Sequence, residues 1–131
     1  MGKKKVVLDT NILISALGWS GKPREIFQKC LGGELDLITS KEQINELKRV
    51  MNYPRFNFSY EQKDIFIALI LEVSSIVEIT GTLTVINDDP DDDCILETAV
   101  VGDVDYIISG DSHLLKLHNF GKVRIVKAAD F

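Results

Sequence analysis

The run Val6-Val7-Leu8-Asp9-Thr10-Asn11-Ile12-Leu13-Ile14-Ser15-Ala16-Leu17 decides how the rest of the chain is read. Three consecutive apolar residues between a lysine run and a polar triplet predict a short strand buried on both faces, as in parallel sheets. Ile12, Leu13, Ala16 and Leu17 follow at the spacing of one helical face, and Asp9 to Asn11 supply the polar entry that such a helix takes. A carboxylate therefore stands where a strand hands over to a helix. Ligands of open α/β sheets gather outside the carboxyl ends of the strands, so chemistry is expected first around Asp9. By itself this pattern is also that of a plain helix cap, and the other acidic residues decide between the two.

Outward from that run, 131 residues suit a single domain spanning 1–131, large enough to bury roughly two-thirds of its unfolded surface. A hydrophobic fraction of 45% with 27% charged residues excludes a disordered chain. The richest apolar stretch, Ile65 to Val73, is broken by Glu72 and is too short for a membrane span. Lys3-Lys4-Lys5 precedes no small-residue cleavage site, so no secretory signal is expected and the location expected is the cytoplasm. Cys30 and Cys94 form no CxxC pair and fall in predicted helices, which argues against a zinc site or a disulfide framework. The net charge of -5 has the wrong sign for a broad nucleic-acid-binding surface. Nucleic acid would have to be handled locally, with metal ions screening the acid.

Pro23 opens a second helix that runs to Leu31 and stops at Gly32-Gly33. Leu35 to Thr39 reads as a strand. Ser40 with Gln43 predicts a capping box ahead of a helix to Met51, with Ile44, Leu47 and Met51 inward and Glu46 on the margin of that stripe. A solvated Glu46 paired along its own helix is the plain alternative there. Ser59 with Gln62 predicts a second box before a helix over Asp64 to Ser74, apolar enough to be deeply buried or to form a dimer face. Ser75 to Thr80 and Leu83 to Ile86 are β-rich around Gly81, which predicts a strand and a turn. Asn87 to Asp93 carries five aspartates into a helix, Asp105 to Ser109 is another buried strand, and Val123 to Val126 is the last. The alternation is that of a parallel α/β sheet with right-handed crossovers.

Asp9 and Asp111 fall at the same station, just beyond a buried strand. Asp92 lies in the first turn of a helix whose inner face is marked by Ile95, Leu96 and Ala99, at +3, +4 and +7, so it points to the sheet edge while Asp91 and Asp93 diverge. Clustered carboxylates repel, by ~1 kcal/mol for a pair 4 Å apart in water and more in a cleft, and a divalent cation offsets that. Oxygen-only ligands without His or Cys favour Mg²⁺ or Mn²⁺. Such a set suits phosphodiester hydrolysis. The aspartate run lacks the glycine and terminal glutamate of an EF-hand, and Ser112 between Asp111 and His113 cannot form a triad of adjacent residues. His113 and His118 are expected at the surface of a short helix.

These four motifs, in this order, resemble the PIN-domain family, from the branch of toxin-antitoxin toxins related to the VapC ribonucleases. They are Val6 to Asn11, the Ser40 to Arg49 helix, Asp89 to Asp93, and Ser109 to Leu115, which together cover nearly the whole chain. The resemblance implies a three-layer α/β/α fold with a central parallel sheet and an acidic pocket that binds Mg²⁺ or Mn²⁺ for RNA cleavage. It places Asp9, Glu46, Asp92 and Asp111 as the acidic quartet, both catalytic and metal-binding, supported by Asn11 and Ser109. A further acidic residue often follows the fourth by two places in the family, where this chain has His113. It also implies an RNA substrate, a cognate antitoxin protein and a homodimer. The other reading from the residues is a PIN-like module that binds RNA or protein without cutting. Lys22, Arg24, Lys48, Arg49 and Arg55 are the candidate phosphate contacts.

Overall fold

The computed structural model describes residues 2–86 and 89–131. Asn87 and Asp88, the start of the predicted aspartate run, lie outside the described residues. The strands are β1 (Lys4–Leu8), β2 (Leu35–Ser40), β3 (Ser74–Val77), β4 (Tyr106–Ile108), β5 (Asn119–Phe120) and β6 (Val123–Val126). The helices are α1 (Thr10–Gly18), α2 (Lys22–Leu31), α3 (Lys41–Met51), α4 (Tyr60–Val73), α5 (Pro90–Val101) and α6 (Ser112–Leu115). One sheet takes the order β3-β2-β1-β4-β6-β5, parallel except where β5 meets β6. This is the α/β architecture with a central parallel sheet that the alternation predicts.

Strand residues alternate between faces, and the core divides accordingly. Val6, Leu8, Leu37 and Ile108 pack beneath α1 to α4, with Ile26, Phe27, Leu47, Phe66 and Ile70. Val7, Ile38, Ile107 and Ile125 pack on the opposite face against Ile95, Leu96 and Ala99 of α5 and Leu114 of α6. β1 is therefore buried on both sides, as its unbroken apolar run requires. The chain leaves β1 to build β2 and β3 on one flank, then returns to place β4 on the other. The gap between the carboxyl ends of β1 and β4 is the point at which the sheet order reverses.

Several local expectations change. Ser40 caps α3 as read, but Gln43 does not close the box: its side-chain amide donates to the Leu8 carbonyl, tying α3 to the end of β1. The Ser59 and Gln62 box is complete, and α4 begins at Tyr60 rather than Asp64. α4 buries Phe66 and Ile70 while Ile65 and Leu71 stay exposed, so it lies against the core on one side only. Leu83 to Ile86 forms no strand. The Leu83 amide donates to Glu97 Oε1 at 3.3 Å, and the Val85 and Ile86 amides donate to Asp93 Oδ1 at 2.9 and 2.7 Å. Carboxylates on α5 take the donors that a strand ladder would have used. Among the described residues no helix is long and apolar enough to cross a membrane.

Candidate metal centre

Asp9 is where β1 stops and α1 starts, and both of its carboxylate oxygens are engaged. Oδ1 accepts the Ile12 amide at 3.0 Å as an N-cap, and Oδ2 accepts from the Ser109 hydroxyl. The helix-cap reading of Asp9 and its placement in a pocket thus both hold in the structure. The Ser109 oxygen in turn accepts the Asp111 amide at 2.9 Å, linking the end of β1 to the turn after β4. Asp9 is 3% exposed. Burial pushes its carboxyl above the usual range, the bonds from Ser109 and Ile12 oppose this, and the charge of Asp111 adds to it.

Asp111 caps α6, its Oδ1 accepting the His113 amide at 2.8 Å. Asp92 comes from the first turn of α5, as its apolar backing at +3, +4 and +7 requires, and is 5% exposed. Its Oδ2 is buried with no hydrogen-bond partner among the described residues. Burial, followed by the charges of Asp111 and Asp89, pushes the Asp92 carboxyl up to about 8. Its neighbours turn elsewhere: Asp91 Oδ2 pairs with Arg49 Nη2 at 3.2 Å, and Asp93 holds the Val85 to Ile86 segment.

Glu46 reaches the same cleft from α3. It is half-buried, and its Oε2 accepts from Thr10 Oγ1 at 2.6 Å. Burial raises its carboxyl, with the Thr10 bond opposing and the Asp91 charge adding. The pairing along its own helix does not form, because Arg49 is engaged with Asp91. The cleft shared by Asp9, Glu46, Asp89, Asp92 and Asp111 has a volume of about 100 Å³, with Asn11 at its exposed edge. That is room for an ion and a few waters.

A donor set in the cleft includes two residues that the sequence did not single out as ligands. One ligand atom each from Asp89, Asp92, Asp111 and His113 lie within 4.8 Å of one another. Asp89 is the N-cap of α5, three residues before Asp92, a spacing that puts both on one side of the first turn. His113 is exposed on α6, as expected of a surface histidine, yet its Nδ1 stands 4.0 Å from Asp92 Oδ2 and 3.9 Å from Asp111 Oδ1. An imidazole nitrogen stands with these carboxylate oxygens. The fit to a cation rests on the orphaned, buried Asp92 oxygen, since an unpaired buried acceptor is costly and a divalent ion is the partner that several converging carboxylates share.

Of the candidate phosphate contacts, Arg24 is spent inside the fold, donating to the Ala16 and Leu17 carbonyls at 2.9 Å each. Arg55 lies over the rings of Tyr53 and Phe56, and Lys48 is exposed on α3. No curated protein matches the chain. The family model described as PIN domain matches residues 5–113, a span that contains both strand ends and every carboxylate of the cleft, and the chain belongs to the PIN-domain family.

Proposed function

We propose that this protein is a divalent-metal-dependent endoribonuclease that hydrolyses RNA phosphodiester bonds. PIN domains are generally nucleases that use divalent metals, and the acidic cluster could hold such an ion. The observation that carries the reading is the buried Asp92 Oδ2, without a hydrogen-bond partner among the described residues, close to Asp89, Asp111 and His113. Asp92 and Asp111, with Asp9 and Glu46 lining the same cleft, are proposed to hold Mg²⁺ or Mn²⁺. The chemistry supplied by the ion, when bound, is polarisation of a phosphoryl group and activation of water.

The protein's own groups prepare that chemistry. Ser109 and the Ile12 amide orient Asp9, and Thr10 orients Glu46, so the carboxylates are set before substrate arrives. Asn11 supports the pocket at its edge. Arg49, one turn along α3 from Glu46, is the contact proposed for a flanking phosphate.

The biological role proposed is the toxin of a toxin-antitoxin pair, restrained by a cognate antitoxin and acting as a homodimer in the cytoplasm. Cleavage of mixed single-stranded and structured RNAs with Mn²⁺, Mg²⁺ or EDTA tests the enzyme. Wild type is expected to cut only with metal, and Asp9→Asn and Asp92→Asn to lose cleavage while folding normally. Retained activity in Asp9→Asn, in protein free of contaminating nuclease, would overturn the assignment. Binding of RNA without cutting under any metal condition would favour the non-cleaving module.

A further inference from the structure

We infer that His113 is a direct ligand of the ion held by the acidic cluster, and that its nitrogen biases the site toward Mn²⁺ over Mg²⁺. The inference rests on the metal-dependent reading above. A histidine on the surface of a one-turn helix is ordinarily a solvated side chain. Here the carboxylate that caps α6 accepts the His113 amide at 2.8 Å, which holds the His113 backbone beside Asp111. Nδ1 ends 3.9 Å from Asp111 Oδ1 and 4.0 Å from Asp92 Oδ2.

Those separations are too long for hydrogen bonds. Two donors each ~2.1 Å from one octahedral cation stand ~3 Å apart when adjacent, and a modest turn of the exposed imidazole brings Nδ1 within that distance of the Asp92 and Asp111 oxygens. Asp92 Oδ2 is the second, independent sign, a buried oxygen without a hydrogen-bond partner among the described residues, on the side that His113 faces. The third is Asp89, whose ligand atom joins the same group from the cap of α5.

An imidazole changes which cation fits best. Mg²⁺ takes a near-ideal octahedron of oxygens and keeps its waters, whereas imidazole nitrogen suits the softer first-row ions. Replacing one oxygen by nitrogen therefore disfavours Mg²⁺ relative to Mn²⁺.

The test is electron spin-echo spectroscopy of Mn²⁺ bound to the full chain, with Mg²⁺ competition, in wild type, His113→Ala and His113→Asp. Expected are nitrogen modulation in wild type, its loss in both variants, and bound Mn²⁺ retained in His113→Asp. The Mg²⁺ concentration that displaces half the Mn²⁺ is expected to fall roughly tenfold in His113→Asp. The His113 ring is 45% exposed, so both variants should fold as wild type, checked by circular dichroism. Mn²⁺ bound without nitrogen modulation, or modulation that survives in His113→Ala, would overturn the inference and leave the metal-dependent reading standing. Failure of wild type to bind Mn²⁺ would overturn that reading, and the inference with it.

Discussion

The Ser109 hydroxyl donates to Asp9 Oδ2 across the gap between the ends of β4 and β1, two residues 100 positions apart in the chain. Because the same oxygen accepts the Asp111 amide, one small side chain positions two carboxylates of the cleft. Both Ser109 and Asp9 are buried, so neither can turn to water instead.

Ser109→Ala leaves Asp9 Oδ2 and the Asp111 amide without that partner. A buried polar group deprived of its hydrogen bond costs about 1–3 kcal/mol, so the variant should unfold at lower urea by that amount. Metal-dependent cleavage should fall as well, whereas Ser109→Thr should retain part of both if its extra methyl fits.

Asp92 makes the ion-free protein sensitive to pH. Its folded carboxyl, pushed up to about 8 from 3.8, keeps a proton that the unfolded chain has released across that interval. Stability is then fully present below the unfolded value and declines as pH rises toward about 8. In EDTA the melting temperature of wild type should drop between about pH 5 and pH 8, and Asp92→Asn should flatten that drop. Millimolar Mn²⁺ should raise the wild-type melting temperature at neutral pH and leave Asp92→Asn nearly unmoved.

Glu97 should behave as a clamp rather than a ligand. Its Oε2 accepts from the Thr80 amide at 2.7 Å and the Gly81 amide at 3.3 Å, and its Oε1 from the Leu83 amide. Burial raises its carboxyl, and these bonds overcome that and hold it below the usual range. In Glu97→Ala, hydrogen exchange should speed up at Thr80, Gly81 and Leu83 with the β1 and β4 amides unchanged. Exchange that accelerates throughout the sheet would contradict a local clamp.

Gly102 ends α5 where the helix approaches β2. A Cβ there would meet Ile38 Cγ2 at 2.5 Å and the Thr98 carbonyl at 3.0 Å. Its φ is an ordinary helical one, so the obstacle is space alone. Gly102→Ala should destabilise the protein by about 1–3 kcal/mol in urea unfolding, the usual cost of an overpacked core. Ile38→Ala in the same chain removes Cγ2, so Gly102→Ala should cost less in that background than in wild type, which makes the double variant a check on the contact.

The β1 to α1 run shows how much was legible locally. Its apolar triplet, its polar turn and the helical spacing after it are each properties of neighbouring residues, and strand, cap and helix all follow. The same holds for Asp92, whose inward direction is set by residues three, four and seven further along one helix. Of the β-rich residues around Gly81, Ser74–Val77 forms the strand and Leu83 to Ile86 forms none, because β-rich residues state only that a strand would suit them. Which donors the amides find is decided by Asp93 and Glu97 on another element. The role of Gln43 was misread for a similar reason: a capping box asks only for a local partner, and the Leu8 carbonyl is 35 residues away.

The sequence by itself therefore determined the parallel α/β fold, the places where acidic residues meet strand ends, and the PIN-domain resemblance, because short-range spacing on strands and helices carries all of these. Only the tertiary structure decided that Asp89 and His113 stand with Asp92 and Asp111, that Arg49 is paired with Asp91, and that Ser109 joins Asp9 to Asp111. These are contacts between side chains on separate elements, fixed by how the sheet orders β1 beside β4 and packs α5 and α6 against them, and no local pattern of residues encodes a direction across that gap.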